Sequence, residues 1–261
     1  MVRLTAACAA VLLALSACSD SGSGSDASSS DAAGGPSGTV TVFAAASLEE
    51  TFTALGEDFE EAHPGTEVEF SFGGSDSLAA GITGGAPADV FASASPATME
   101  IVTEADRAAG EPTVFVRNQL QIATLPGNPH DIASLRDLAD DELQVVLCDA
   151  EVPCGAAAQR VLDAAGIELT PVSYEQDVKS ALTKVELREA DAALVYRTDV
   201  NAAGDAVHGV AFPESAEAVN DYPIVELQDA PNADAARAFI DLVTTSAEGQ
   251  RVLTDAGFLA P

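Results

Sequence analysis

The chain contains no tryptophan, only 5% aromatic residues and two lysines, Lys179 and Lys184, in 261 residues. With so few aromatic faces it has little on which to stack bases or sugar rings. Lys and Arg together number 11 against 42 Asp and Glu, a formal net charge of −31. A surface this acidic repels phosphate backbones and anionic headgroups, so nucleic acid is excluded as a partner and no membrane is held by charge. The common catalytic signatures are missing too. There is no Gly-x-x-x-x-Gly-Lys, no Gly-x-Ser-x-Gly, no Gly-x-Gly-x-x-Gly behind a strand and no His-Glu-x-x-His. His63, His130 and His208 each sit beside Pro or Gly and read as solvated surface. What the chain does have is an apolar share of 47%, enough for a real core in one large domain or two small ones.

No run is long enough to cross a bilayer. The apolar stretch Leu4 to Ala17 falls short of the ~20 residues a span requires. Behind the single charge of Arg3 it fits the core of a secretory signal. Leu15-Ser16-Ala17-Cys18 resembles the lipobox of bacterial lipoproteins, in which the Cys becomes the first mature residue and carries the lipid. The expectation is a signal peptide over 1–17, a lipid on Cys18, and a protein attached through that anchor to the extracytoplasmic face of the cell membrane. Ordinary cleavage beside an incidental Cys is the alternative. Removing 1–17 takes away one Arg and no acid, so the mature charge is −32. Residues 18–38 are Ser, Gly, Asp and Ala with one Pro after the Cys, and read as a flexible tether. The folded part is then 39–261.

Cys8 leaves with the signal and Cys18 takes the lipid, which leaves Cys148 and Cys154 with five residues between them. In an exported protein such a pair favours a disulfide. Free thiols and a metal site are the alternatives, the second weakened by the absence of a nearby His.

From residue 39 onward strand-like and helix-like runs alternate, which predicts an α/β architecture. Leu48, Phe52, Leu55, Phe59 and Ala62 mark one helical face, and Ser47 with Glu50 matches a capping box. Further strands are predicted at 89–92, 113–117, 119–125, 143–147, 172–174, 192–196, 207–212 and 223–227. Small polar residues recur where a strand ends and a helix opens: Ala46-Ser47, Gly74-Ser75, Pro153-Cys154-Gly155 and Asp177-Val178. Ligands collect at this edge of open α/β sheets. Helix N-termini there offer unsatisfied N–H groups and about half a positive charge each, an anion site that needs no Arg. Helix capping alone is the plainer reading of each Ser.

Val42-Phe43-Ala44-Ala45-Ala46-Ser47-Leu48 resembles the opening of the periplasmic molybdate-binding proteins of ABC importers. Phe72-Gly73-Gly74-Ser75, Gly85 to Ala94, Val152-Pro153-Cys154-Gly155, Asp177 to Glu186, Ala193 to Tyr196 and a tail from Ala247 to Phe258 follow in the right order. The resemblance implies a two-lobed type II periplasmic-binding-protein fold, each lobe a mixed sheet flanked by helices. Lobe I would take 39–118 and 223–261, and lobe II 119–222. It implies that Ser47 and Ser75 hold the anion by hydroxyl and N–H, Cys154 and Val178 by N–H alone, and Tyr196 by its phenol. The only metal in view is thus the molybdate or tungstate centre, bound as an oxyanion by these same residues, with no cofactor. Two departures stand out: Cys154 where Ala is commoner, and Asp76 beside Ser75. The implied function is non-enzymatic capture for an ABC permease and its ATPase, by a monomer. Another oxyanion, a small carboxylate, or a hydrolase using Ser47 or Ser75 remain alternatives.

Overall fold

The computed structural model describes residues 35–261. The expected signal run, Cys18 and most of the expected tether lie outside the described residues. Gly38 was expected in the tether but already pairs with Thr66 in a sheet, and its N–H donates to Gly65 O at 2.8 Å.

The first sheet is built from β1 (Gly38–Ala45), β2 (Thr66–Gly73), β3 (Val90–Ala92), β4 (Thr113–Asn118) and β10 (Asn220–Glu226), in the order β2-β1-β3-β10-β4. The second holds β5 (Leu120–Thr124), β6 (Val145–Cys148), β7 (Ser173–Glu175), β8 (Ala192–Tyr196) and β9 (His208–Val210), in the order β7-β6-β8-β5-β9. In each sheet three strands run parallel and a fourth lies antiparallel beside them. The chain passes from the first sheet to the second between β4 and β5, and returns between β9 and β10. Helices α1 (Glu49–Ala62), α2 (Ser75–Thr83), α3 (Pro96–Glu104), α7 (Ala233–Thr245) and α8 (Ala247–Ala256) accompany the first sheet. The second carries α4 (Pro153–Ala165), α5 (Val178–Glu186) and α6 (Arg197–Ala203).

The two cores differ in material. Phe52, Phe59, Phe115 and Phe239 are buried together in the first, where Phe52 and Phe239 meet edge to face at 5.8 Å. Truncating such a ring costs about 3–5 kcal/mol. The second core is mostly aliphatic, as Leu120, Ile122, Val146, Val161 and Leu194 illustrate.

Several expectations change. Ser47 does not cap a helix: it sits in a 3-10 turn, Ala46–Leu48, and α1 follows with Leu48 as its N-cap and no side-chain cap bond. The capping box with Glu50 fails because the Ser47 hydroxyl is engaged by Tyr222 Oη at 2.8 Å. Ser75 is the first residue of α2, and Gly74 is its N-cap. Strand β10 starts at Asn220, three residues before the expected Pro223. Asn220 to Tyr222 pair with β4, so 220–222 belong to the first sheet and not to the second lobe. The pairing slips between Tyr222 and Pro223, where proline has no N–H for the ladder. By contrast Ser95 before Pro96, and Asp177 before α5, do cap their helices, accepting from Thr98 N and Ser180 N.

Candidate functional site

The C-terminal ends of β1, β2, β6, β7 and β8 lead into one cavity. It is lined by Ala46, Ser47, Gly74, Ser75, Ala94 and, from the second sheet's side, by Pro153, Cys154, Asp177, Val178 and Tyr196. All five residues expected at the site are therefore brought together, and all five are buried. The space open to the centres of water-sized spheres is about 20 Å³. That admits a compact group and little more. No Lys, Arg or His lines it. Its one acid, Asp177, spends both carboxylate oxygens on Ser180, accepting from N at 2.8 Å and from Oγ at 3.0 Å. Among the described residues no cluster of His, Cys, Asp and Glu could hold a cation.

The lining is a set of donors. Ser75 and Val178 open α2 and α5, and Cys154 follows Pro153 at the start of α4. First-turn N–H groups have no acceptor within their own helix, and each helix adds about half a positive charge at that end. Three hydroxyls complete the set. Ser75 Oγ accepts from Ala94 N at 3.0 Å, which leaves its own proton free. Ser47 Oγ pairs with Tyr222 Oη, and Tyr196 Oη accepts from Asn220 Nδ2 at 2.8 Å. Burial raises the Tyr196 phenol, helped by the charge of Asp199; burial and then Tyr196 raise Tyr222. Both phenols thus stay protonated. Cys148 and Cys154 are joined in a disulfide, Cα to Cα 5.8 Å, which ties the end of β6 to the start of α4 and so holds the Cys154 N–H. A Cβ on Gly155 would stand 1.8 Å from Asp149 O, so only glycine fits this tight junction. Asp76 does not line the cavity. Its Oδ1 is buried without a partner, and its Oδ2 accepts from Ser77 Oγ at 3.3 Å.

The family profile of bacterial extracellular solute-binding proteins matches residues 40–259. The chain belongs to that family. It is 45% identical over 240 residues to the molybdate-binding protein ModA of Mycobacterium tuberculosis, covering 91% of this chain and 92% of that one. Its fold is similar to that of the Azotobacter vinelandii periplasmic molybdate-binding protein, with TM-score 0.74, 20% identity and coverage of 85% of this chain and 99% of the other. It is also similar to the sulfate-binding protein SubI of M. tuberculosis, with TM-score 0.71, 18% identity and coverage of 84% and 86%. The two-lobed α/β architecture expected from the sequence is that of these proteins.

In this solute-binding protein the lobes touch at the rim of the cavity. A Cβ on Gly74 would lie 2.5 Å from Gln176 O on the opposite side, so the glycine permits the close approach. Ala46 packs into the second lobe's core. Lys179 Nζ of α5 reaches Glu50 Oε1 of α1 at 2.5 Å and Asp199 Oδ1 at 3.4 Å. Burial alone would lower the Lys179 ammonium, but Asp199 and then Glu50 outweigh it and leave it raised. Asp199 is fully buried, and that burial lifts its carboxyl to about 6 against the pull of Lys179. Its Oδ2 accepts from Tyr196 N at 3.0 Å, so it also fixes the turn that presents the phenol. Tyr222, Asn220, Asn118, Lys179 and Asp199 are parts of the site that the sequence did not single out. No local spacing announces the first four, because their partners lie far away along the chain, as with Ser47 and Tyr222, 175 residues apart. Asp199 does have a local partner, the Tyr196 N–H three residues before it, but only its complete burial marks it out.

Proposed function

We propose that the protein captures molybdate or tungstate outside the cytoplasm and delivers it to an ABC permease with its ATPase, without catalysing a reaction. The observation that carries this reading is a small buried cavity lined by hydroxyls and first-turn N–H groups, with no cation and no uncommitted carboxylate. An unprotonated tetrahedral dianion needs donors on every side and nothing else. Each charge-assisted bond contributes about 1.5–3 kcal/mol, more firmly where water is excluded. The net charge of −31 opposes approach only weakly, since salt screens it over about 8–10 Å. Ser47 and Ser75 supply hydroxyl and N–H, Cys154 and Val178 their N–H, and Tyr196 its phenol. The cavity's donors all come from one chain, so a monomer suffices. A hydrolase is disfavoured because neither serine meets a base: Ser47 faces a protonated phenol, and Ser75 a backbone N–H.

The kinship with ModA supports molybdate over other oxyanions. Calorimetric titration of the protein with molybdate, tungstate, sulfate and phosphate tests it. Tight binding of the first two is expected, and binding of phosphate alone, or of none, would overturn the reading. The lipobox-like Leu15 to Cys18 supports anchoring through Cys18, with 1–17 removed as a signal. Cys18→Ala should then move the protein from the membrane to the soluble fraction with oxyanion affinity intact. Retention after a high-salt wash would contradict a lipid anchor at this residue.

A further inference from the structure

Two asparagines face each other where the chain changes sheets. Asn118 ends β4, Asn220 begins β10, and the two are register partners. Both are buried. An amide can be turned either way, but here each is fixed by a neighbour of known polarity. Asn220 Oδ1 lies 2.5 Å from Arg160 Nη2, and arginine can only donate. The Asn220 Nδ2 group therefore faces Tyr196 Oη at 2.8 Å and Pro153 O at 3.3 Å. Asn118 Oδ1 accepts from Gln119 N at 3.0 Å, which turns its Nδ2 towards Thr198 Oγ1 at 2.8 Å and Tyr222 Oη at 3.5 Å.

The direction of every proton follows. Tyr196 Oη is an acceptor from Asn220, so its single proton is left for the cavity it lines. Tyr222 Oη takes the remaining Asn118 N–H at 3.5 Å, which turns its own proton to the nearer acceptor, Ser47 Oγ at 2.8 Å, and the Ser47 proton is then left for the cavity. Ser75 is set in the same way by Ala94 N. Burial keeps both phenols protonated, so neither relay reverses by ionisation.

We infer that Asn118, Tyr222 and Asn220 are positioning residues that fix the hydrogen-bond polarity of the site, so that its hydroxyls can only donate and an oxyanion that carries a proton is rejected. The inference rests on the oxyanion reading above and adds to it the residues that set the selection. A proton on the ligand meets a donor instead of an acceptor, and a buried donor left unmatched in this way is the strongest source of discrimination a polar site has.

The test is calorimetric titration of the full chain with molybdate and with phosphate, whose neutral-pH forms all carry a proton. Asn220→Asp replaces Nδ2 by an acceptor while keeping a partner for Arg160. The Tyr196 proton should turn to that carboxylate and present a lone pair to the ligand. Molybdate affinity should fall by about tenfold or more, and phosphate affinity should fall less or rise, so the ratio of the two narrows by about tenfold. Tyr222→Phe frees Ser47 from its donor and should narrow the ratio in the same direction, which keeps the inference testable if the first variant does not fold. Equal loss of both affinities in the folded variants means a merely structural role and overturns the inference while leaving the oxyanion reading intact. Wild-type protein that binds neither anion overturns both.

Discussion

The two lobes present equivalent half-sites made from different chemistry. In the first sheet β1 leads to Ser47 and β2 to Ser75; in the second, β6 leads to Cys154 and β7 to Val178. The strand orders β2-β1-β3-β10-β4 and β7-β6-β8-β5-β9 correspond place for place, so these four residues occupy matching junctions. The third parallel strand completes each half: Ala94, after β3, steadies Ser75, whereas Tyr196, at the end of β8, itself lines the cavity. One lobe thus offers hydroxyls as well as N–H groups, and the other mainly N–H groups on helices. A backbone donor tolerates Cys or Val because the side chain points elsewhere. Val178 is buried in the second core, and the sulfur of Cys154 is bound to Cys148. A hydroxyl donor tolerates no such change.

The largest effect is expected where the halves meet. Gly74→Ala places a methyl group against Gln176 O and holds the lobes apart, so donors of the second lobe lose reach. Losing two charge-assisted bonds corresponds to more than about 100-fold in affinity. Titration of a variant with unchanged melting behaviour checks it, and near-wild-type affinity would show that the contact at Gly74 does not limit closure.

Next come the hydroxyls. Ser47→Ala and Ser75→Ala should each weaken oxyanion binding by about 1–3 kcal/mol, or about 5–150-fold. Because Ser47 is no N-cap, its removal should not carry the usual cost of a lost cap. Instead it leaves the Tyr222 hydroxyl one partner short. Ser75→Ala strands the Ala94 N–H, a cost of about 1–3 kcal/mol in stability. Unfolding and titration of both variants separate the two effects. Unchanged affinity in both would remove the hydroxyls from the site.

Asp199 sharpens the comparison through pH. Its folded carboxyl is raised to about 6, above the 3.8 of an exposed aspartate, so the folded state binds a proton that the unfolded state has lost. Stability from this group is therefore present at low pH and falls as pH rises through about 4 to 6, by up to about 3 kcal/mol. Asp199→Asn keeps an acceptor for Tyr196 N and should remove that decline. The difference between the two unfolding curves over this pH window measures it, and identical pH dependence would show that Asp199 is not buried as described.

The smallest effect on binding belongs to Val178→Ala. The side chain is in the core, so the variant should lose about 1–2 kcal/mol of stability, yet keep its N–H and its affinity. An affinity loss matching that of Ser75→Ala would erase the distinction between hydroxyl and backbone half-sites.

Much of the site was legible because four of its five expected residues stand at strand-to-helix junctions marked by Gly, Ser, Pro or Asp. Junction chemistry is local, and it located Ser47, Ser75, Cys154 and Val178 even where the capping role assigned to Ser47 was wrong. Ala62 shows the limit of periodicity: it continues the apolar face of α1 but is exposed as the last residue of the helix. The start of β10 was missed because Asn220-Asp221 carry none of the apolar alternation that marks a strand, and only pairing with β4 makes them one.

The sequence by itself determined the alternation of strands and helices and the small polar junctions between them, because these depend on residue type and on neighbours within a few positions. Only the tertiary structure decided which way the donors point. The partnerships of Ser47 with Tyr222, Tyr196 with Asn220 and Lys179 with Glu50 join residues 24 to 175 positions apart. A hydrogen bond needs its atoms within about 3 Å and aligned, a condition that nothing local to either residue can set.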